Sequence, residues 1–111
     1  MRFGAAGIFF VFSGMQIGPY RLDGNVVLAP MAGVTDAAFR VVCLRHQAAY
    51  AVGEMAASGA HLLNTEMTRR RYACDAREAF PVVQILGADP AEMASAAALA
   101  QDCGASMGDV N

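Results

Sequence analysis

Short apolar runs alternate along this chain with segments of helical spacing, starting at Met15. Four runs read as strands, because each is apolar and bounded by proline, glycine or polar residues: 25–30, 49–52, 80–87 and 106–111. The first is apolar throughout, which predicts a strand buried on both faces. Starts about 27 residues apart, with helical segments between them, predict a parallel α/β fold.

Two helices are predicted with defined starts. Asp36 is the N-cap of the first, whose apolar stripe would be Phe39, Val42, Cys43 and His46. Asp89 caps the second, with Pro90 at the first helical position and Glu92 three residues after the cap. Its stripe would be Met93, Ala96, Ala97, Ala100 and Cys103, and Gly104 is placed for a left-handed end.

The remaining segments are assigned by composition. Residues 56–63 favour a short helix, and the polar stretch 64–79 is expected to be irregular or partly helical. Residues 1–14 form an apolar leader that we place outside the fold. Their apolar run is too short for a membrane span, and a translated segment upstream of a start at Met15 is preferred to an export signal.

Four β/α units are half of a (β/α)8 barrel, which needs about 250 residues. The fold class predicted for residues 15–111 is therefore α/β, the N-terminal half of a TIM barrel with about four parallel strands. An open doubly wound sheet is the alternative. Against it, APMAG follows the first strand in place of a GxGxxG turn.

Composition narrows the function classes. Of 111 residues, 56% are hydrophobic and 16% charged, which argues against disorder. The net charge of -2 gives no overall basic field for nucleic acid. The three cysteines form no CxxC pair, which fits a reducing compartment and argues against a metal site. Cys43 and Cys103 fall on helix stripes as small core residues.

Chemically distinctive residues gather where the predicted strands end. In a parallel barrel those ends share one mouth, where active sites lie. The residues concerned are Pro30, Met31, Glu54, Met55, Gln84, Asp109 and Asn111. An amide inside an apolar strand needs a partner, because burying it unpaired costs about 1–3 kcal/mol. For Gln84 the partner is either a planar heterocycle or a neighbouring side chain, and the side chain is slightly preferred.

Four segments resemble the tRNA-dihydrouridine synthase family, especially its bacterial B-type members. They are LAPMAGVTDAAFR at 28–40, VGEM at 52–55, VVQILGADPAEM at 82–93 and DVN at 109–111. The resemblance implies a cytoplasmic FMN-dependent oxidoreductase on a TIM barrel, with a tRNA-binding helical domain after it. Such enzymes reduce uridine in tRNA to 5,6-dihydrouridine, with NADPH as the reductant.

The resemblance also assigns site residues. Pro30, Met31 and Ala32 match the segment against the isoalloxazine ring, Gln84 matches the glutamine at the flavin edge, and Asn111 matches an asparagine on the substrate side. No catalytic residue is assigned. The acid cysteine of the family lies in an M-G-C-P segment directly after DxN, beyond Asn111, so the chain alone is expected to be inactive and to retain flavin poorly.

Two other functions stay open. One is another flavin barrel, dihydroorotate-dehydrogenase-like or old-yellow-enzyme-like, and the other is a non-catalytic half-barrel that acts as a binding module. A half-barrel has open strand edges and an uncovered apolar face, so self-association of the isolated chain is expected, without a membrane partner.

Several polar residues receive structural roles. The arginines at 69–71 could bind tRNA phosphates, but a solvated face with internal ion pairs is preferred. Glu54 is expected to hold the second-strand loop through backbone hydrogen bonds, in preference to acting as a catalytic base. His46 and His61 have no metal-ligand companions and are treated as surface or packing residues.

Overall fold

The computed structural model describes residues 14–59, 61 and 64–111. In chain order the elements are β1 (Met15–Ile17), β2 (Tyr20–Leu22), α1 (Ala37–Arg45), β3 (Ala56–Ala57), α2 (Glu66–Tyr72), β4 (Val82–Leu86), α3 (Pro90–Asp102) and β5 (Met107–Val110).

The main sheet is parallel and three-stranded, in the order β3-β4-β5. In its register Gln84 faces Asp109 across β4 and β5. Two isolated parallel bridges extend the pairing, Leu28 with Ala51 and Val52 with Val82. The α/β class and the parallel direction of the predicted strands are thus confirmed.

The first predicted strand is less regular than its sequence indicates. Residues 25–30 make a single bridge, at Leu28, and Val26 is 67% exposed. The prediction of a strand buried on both faces is therefore wrong. Within the described residues this segment pairs on one side only, with residues 49–52, so its other side has no neighbouring strand to cover it.

Two further local predictions differ from the structure. Residues 56–57 form β3 and not the start of a helix, because they pair with Ile85 and Leu86; residues 60, 62 and 63 lie outside the described residues. The antiparallel pair of β1 and β2 was not predicted, although Gly18, with φ 54°, allows the turn between them. Helix α2 confirms that 64–79 is partly helical. The leader prediction falls almost wholly on residues 1–13, outside the described residues.

Both predicted N-caps are confirmed. Asp36 Oδ1 accepts from Phe39 N at 2.8 Å, and Asp89 Oδ1 accepts from Glu92 N at 2.8 Å. At the other end of α3, Gly104 has φ 99°, the left-handed conformation expected there.

The apolar stripe predicted for α1 is wrong. Phe39 and Val42 are exposed, whereas Arg40 and Val41 are buried. Relative to the predicted orientation, the helix is rotated about its axis so that Arg40 lies on the buried face. The charged side chain is buried there because it pairs with the carboxylate of Glu78.

On α3 the buried stripe is narrower than predicted. Ala96 and Ala100 are buried, but Ala97 and Cys103 are exposed. The two buried alanines join one core cluster between α2, α3 and the sheet, which contains Ala56, Tyr72, Val83, Ile85, Ala96 and Ala100.

Candidate functional site

Gln84 lies in the middle of β4 and is only 7% exposed. Its Nε2 donates to Asp109 Oδ2 at 2.5 Å, on the neighbouring strand β5. Its Oε1 accepts a longer bond of 3.5 Å from Asn111 Nδ2. The expectation that a neighbouring side chain satisfies this amide is confirmed. The structure thus brings two predicted site residues, Gln84 and Asn111, within hydrogen-bond distance of each other.

The segment that carries the predicted site residues Pro30, Met31 and Ala32 forms a closed turn. Thr35 is fully buried, and its Oγ1 accepts from Met31 N at 3.0 Å and donates to Met31 O at 3.1 Å. The Met31 carbonyl also accepts from the backbone N–H groups of Val34 and Thr35. Gly33, with φ 72°, supplies the left-handed residue that the turn requires. The Met31 side chain is left 39% exposed outside the turn.

A carboxylate from the next strand segment binds this turn. Glu54 Oε2 accepts from Gly33 N at 2.9 Å and lies 3.7 Å from Arg71 Nε on α2. Glu54 thus accepts a backbone hydrogen bond, as predicted, but the prediction that it holds the second-strand loop is wrong, because the turn it binds follows the first strand segment.

A buried ion pair lies behind the turn. Arg40 Nε and Nη2 bond both oxygens of Glu78, at 2.8 and 2.9 Å, in a side-by-side arrangement. The remaining guanidinium donors reach Thr35 O at 2.9 Å and Ala73 O at 2.8 Å. Neither Arg40 nor Glu78 was singled out from the sequence. The available signal was a charged residue inside an otherwise apolar helix segment.

The five predicted site residues thus fall into two groups. Gln84 and Asn111 are joined across the sheet, whereas residues 30–32 belong to the turn. In the part of the chain that the structure describes, no hydrogen bond or ion pair joins the two groups. Both follow or interrupt parallel strand segments, so they lie toward the same end of the sheet.

A cavity of about 710 Å³ lies elsewhere. It is bordered by the strand starts at Tyr50 and Phe80 and by the end of α1, and no predicted site residue lines it. A search for a site by cavity volume alone would therefore select the end of the sheet where the strands start. Gln84 and the turn lie toward the other end.

The arginine cluster behaves mainly as a solvated face. Arg70 pairs with Glu66 one turn away, both highly exposed, and Arg77 makes a two-pronged contact with Asp75. Hydrogen bonds from Arg77 hold the pKa of the Asp75 carboxyl well below its usual range. Both His46 and His61 are exposed, as expected.

The three cysteines are free, and neither Cys43 nor Cys103 belongs to the core cluster in which both were predicted to lie. Cys103 is exposed and so is not a core residue, while Cys43 is half-buried. Cys74 packs against the core; burial, with a further contribution from the Glu78 charge, raises the pKa of its thiol, and Arg40 acts in the opposite direction. Across the described ranges, no three His, Cys, Asp or Glu side chains are grouped as a metal site.

Sequence comparison places this geometry in a known family. The family model described as Dihydrouridine synthase (Dus) matches residues 27–111, which include both groups of the candidate site. The chain belongs to the dihydrouridine synthase family. Among its relatives are proteins named tRNA-dihydrouridine synthase B from Shewanella oneidensis, 48% identical over 97 residues, and from Pseudomonas aeruginosa, 43% identical over 97 residues. These alignments cover 87% of this chain.

The chain spans about 30% of the length of the curated relatives it matches. No solved structure is significantly similar to it. Within the described residues, none of its helices combines the length and the apolar character that crossing a membrane requires.

Proposed function

We propose that the chain is the N-terminal part of a B-type tRNA-dihydrouridine synthase, in which residues 15–111 supply the first four β/α units of a TIM barrel. The observation that carries this proposal is the family match over residues 27–111, which coincides with parallel pairing of the segments in the expected order. The match favours this family over the other flavin-dependent barrels and over a non-catalytic half-barrel.

The cofactor proposed for this site is FMN. The residues present fit a flavin, because the amides of Gln84 and Asn111 offer donors and acceptors to a heterocycle edge while the exposed Met31 side chain offers an apolar contact to its face. Pro30 and Ala32 flank Met31 in the same turn. When bound and reduced by NADPH, the flavin supplies the hydride that converts uridine to 5,6-dihydrouridine.

In this proposal the residues of this chain bind and orient the cofactor and the substrate, and none of them transfers a proton. Gln84, held by Asp109, presents its amide at the cofactor edge, and Asn111 lies beside it on the substrate side. None of Cys43, Cys74 and Cys103 occupies the position of the family's acid cysteine. We therefore expect no uridine reduction by the 111-residue chain alone.

The partner proposed for the whole enzyme is tRNA, and its proposed location is the cytoplasm. For the isolated chain we propose self-association, supported by the exposure of Val26 and Val110 on the outer strand segments, at 67% and 72%. Light scattering at several concentrations tests this, since a concentration-independent monomer contradicts it.

A hybrid protein tests the enzymatic proposal. Residues 15–111 replace the aligned segment of the Shewanella oneidensis relative, which keeps the rest of that protein. We expect the purified hybrid to bind FMN and, with NADPH, to form dihydrouridine in tRNA isolated from cells that lack these enzymes. Mass spectrometry of the digested tRNA measures the product.

Two variants sharpen the hybrid test. Gln84→Leu removes the proposed flavin contact, and His46→Ala, at the exposed end of α1, is its control. We expect Gln84→Leu to weaken FMN binding and His46→Ala to leave it unchanged. A folded hybrid that binds no FMN, or that reduces small enones but not tRNA, contradicts the proposal.

A further inference from the structure

The carbonyl and N–H groups of Met31 are both held by one buried side chain. Thr35 Oγ1 accepts a hydrogen bond from the Met31 N–H and donates one to the Met31 carbonyl, and Thr35 is fully buried. A threonine in this position fixes the direction of the Met31 backbone, because rotating the peptide group on either side of Met31 breaks a hydrogen bond to the Thr35 hydroxyl.

The backbone of Thr35 is itself held by a buried arginine. Its carbonyl accepts from Arg40 Nη1 at 2.9 Å, and Arg40 is 2% exposed. The guanidinium packs close beneath Gly53, where a Cβ would lie 3.1 Å from Nη1. Gly53 directly precedes Glu54, whose carboxylate binds the other side of the turn at Gly33.

Glu78 sets the position of Arg40. Its two carboxylate oxygens bond the guanidinium, and Oε1 also accepts from Asp75 N at 3.0 Å. A planar guanidinium with five donors bonds Glu78, Ala73 O and Thr35 O at once, and the single ammonium group of a lysine cannot reproduce this geometry.

We propose that Arg40 and Thr35 are positioning residues of this enzyme: they transmit the fixed position of Glu78 to the Met31 turn and so set the orientation of the segment that faces the flavin. This inference rests on the proposed function. Neither side chain touches the cofactor; each acts through the backbone of the turn.

Two pairs of variants of the hybrid protein test this. Arg40→Lys keeps the charge and loses the fork, with Arg77→Lys, which loses the exposed fork to Asp75, as its control. Thr35→Val removes the hydroxyl, with Thr68→Val, a buried threonine on α2, as its control. Thr35→Ser restores the hydroxyl. Should Arg40→Lys fail to fold, the Thr35 pair still decides the question.

Two readouts are needed. Hydrogen exchange by mass spectrometry follows peptides that cover residues 31–35, in the hybrid and in the 111-residue chain. We expect exchange there to accelerate about tenfold or more in Arg40→Lys and Thr35→Val, since the turn opens locally. Flavin fluorescence gives the FMN dissociation constant of the hybrid, which we expect to rise about tenfold or more because the ring contact is misplaced. Thr35→Ser should restore both values, and both controls should leave them unchanged.

The outcomes separate the two proposals. Unchanged exchange at residues 31–35 overturns the inference, whatever happens to FMN. Faster exchange with unchanged FMN affinity also overturns it, because the turn then has no influence on the cofactor, and the proposed function stands. A hybrid with the unsubstituted segment that binds no FMN contradicts the proposed function first, and the positioning role with it.

Discussion

Gln84 and Asp109 face each other in register on the parallel strands β4 and β5, and the amide of one donates to the carboxylate of the other. The pair fixes the orientation of an amide that is nearly removed from solvent. The other polar atom of Gln84, Oε1, accepts only the longer bond from Asn111. Oε1 is therefore the end of the side chain that is more available to a further donor.

Removing the acceptor should therefore destabilise the sheet. Asp109→Ala leaves Gln84 Nε2 buried without its partner, and we expect a loss of about 1–3 kcal/mol in the free energy of unfolding. Urea denaturation measures it. Asp102→Ala, at the exposed end of α3, is the control, with an expected change of about 0.5 kcal/mol or less. Equal effects of the two substitutions would show that the Gln84 contact adds nothing.

Two of the arginine–glutamate pairs among the described residues should differ greatly in their contribution to the free energy of unfolding. Glu78→Ala leaves the guanidinium of Arg40 buried and uncompensated, so we expect a loss of about 3–5 kcal/mol. Glu66→Ala breaks an exposed pair with Arg70 and should cost about 0.5 kcal/mol or less. Thermal and urea unfolding of both variants check this. A small effect of Glu78→Ala would mean that Arg40 finds water or another acceptor.

Two glycines offer a second matched comparison. A Cβ on Gly87 would overlap the Ser58 hydroxyl and lie 3.1 Å from Met93 Cγ, whereas one on Gly108 would meet nothing within 4 Å. Gly87→Ala should destabilise the chain by about 1–3 kcal/mol, because the contact between β4 and α3 must open. Gly108→Ala should be neutral or stabilise it by up to about 1 kcal/mol. The reverse order in urea denaturation would contradict the packing described at the end of β4.

Tyr72 predicts a pH dependence. Burial, and secondarily the charge of Cys103, raises the pKa of its phenol. The folded state therefore holds this proton more tightly than the unfolded state, so the stability it contributes is complete below the unfolded value of about 10 and is lost as the pH rises beyond it. Tyr72→Phe should reduce this loss of stability at alkaline pH. Tyr20→Phe, which replaces a half-buried tyrosine, is the control and should show the same loss as the unsubstituted chain.

The same substitution has an effect at neutral pH. Among the described residues the Tyr72 hydroxyl has no hydrogen-bond partner although it is buried. Its removal should therefore leave the free energy of unfolding unchanged or raise it by up to about 1 kcal/mol. Urea denaturation at pH 7 and in a series of alkaline buffers measures both effects. A marked loss of stability at pH 7 would show that the hydroxyl is bonded in solution.

Local patterns along the chain were enough for the elements whose interactions are short in sequence. The caps of α1 and α3 are bonds across three residues, and the strand β4 is an apolar run, interrupted by Gln84, between a proline and a glycine. The closed turn at Met31–Thr35 is a local feature of the same kind, because its side-chain hydrogen bonds join residues four positions apart in the chain.

Tertiary structure decided what depends on distant partners. Arg40 and Glu78 are 38 positions apart, and their pairing turns the inner face of α1 away from the stripe that apolar spacing predicts. Residues 56–57 become a strand because β4 lies beside them, against a local preference for helix. The partner of Gln84 likewise comes from a strand 25 positions later. Backbone hydrogen bonds within a turn follow from neighbouring residues, but burial of a charge or an amide depends on which distant group folding brings within about 3 Å.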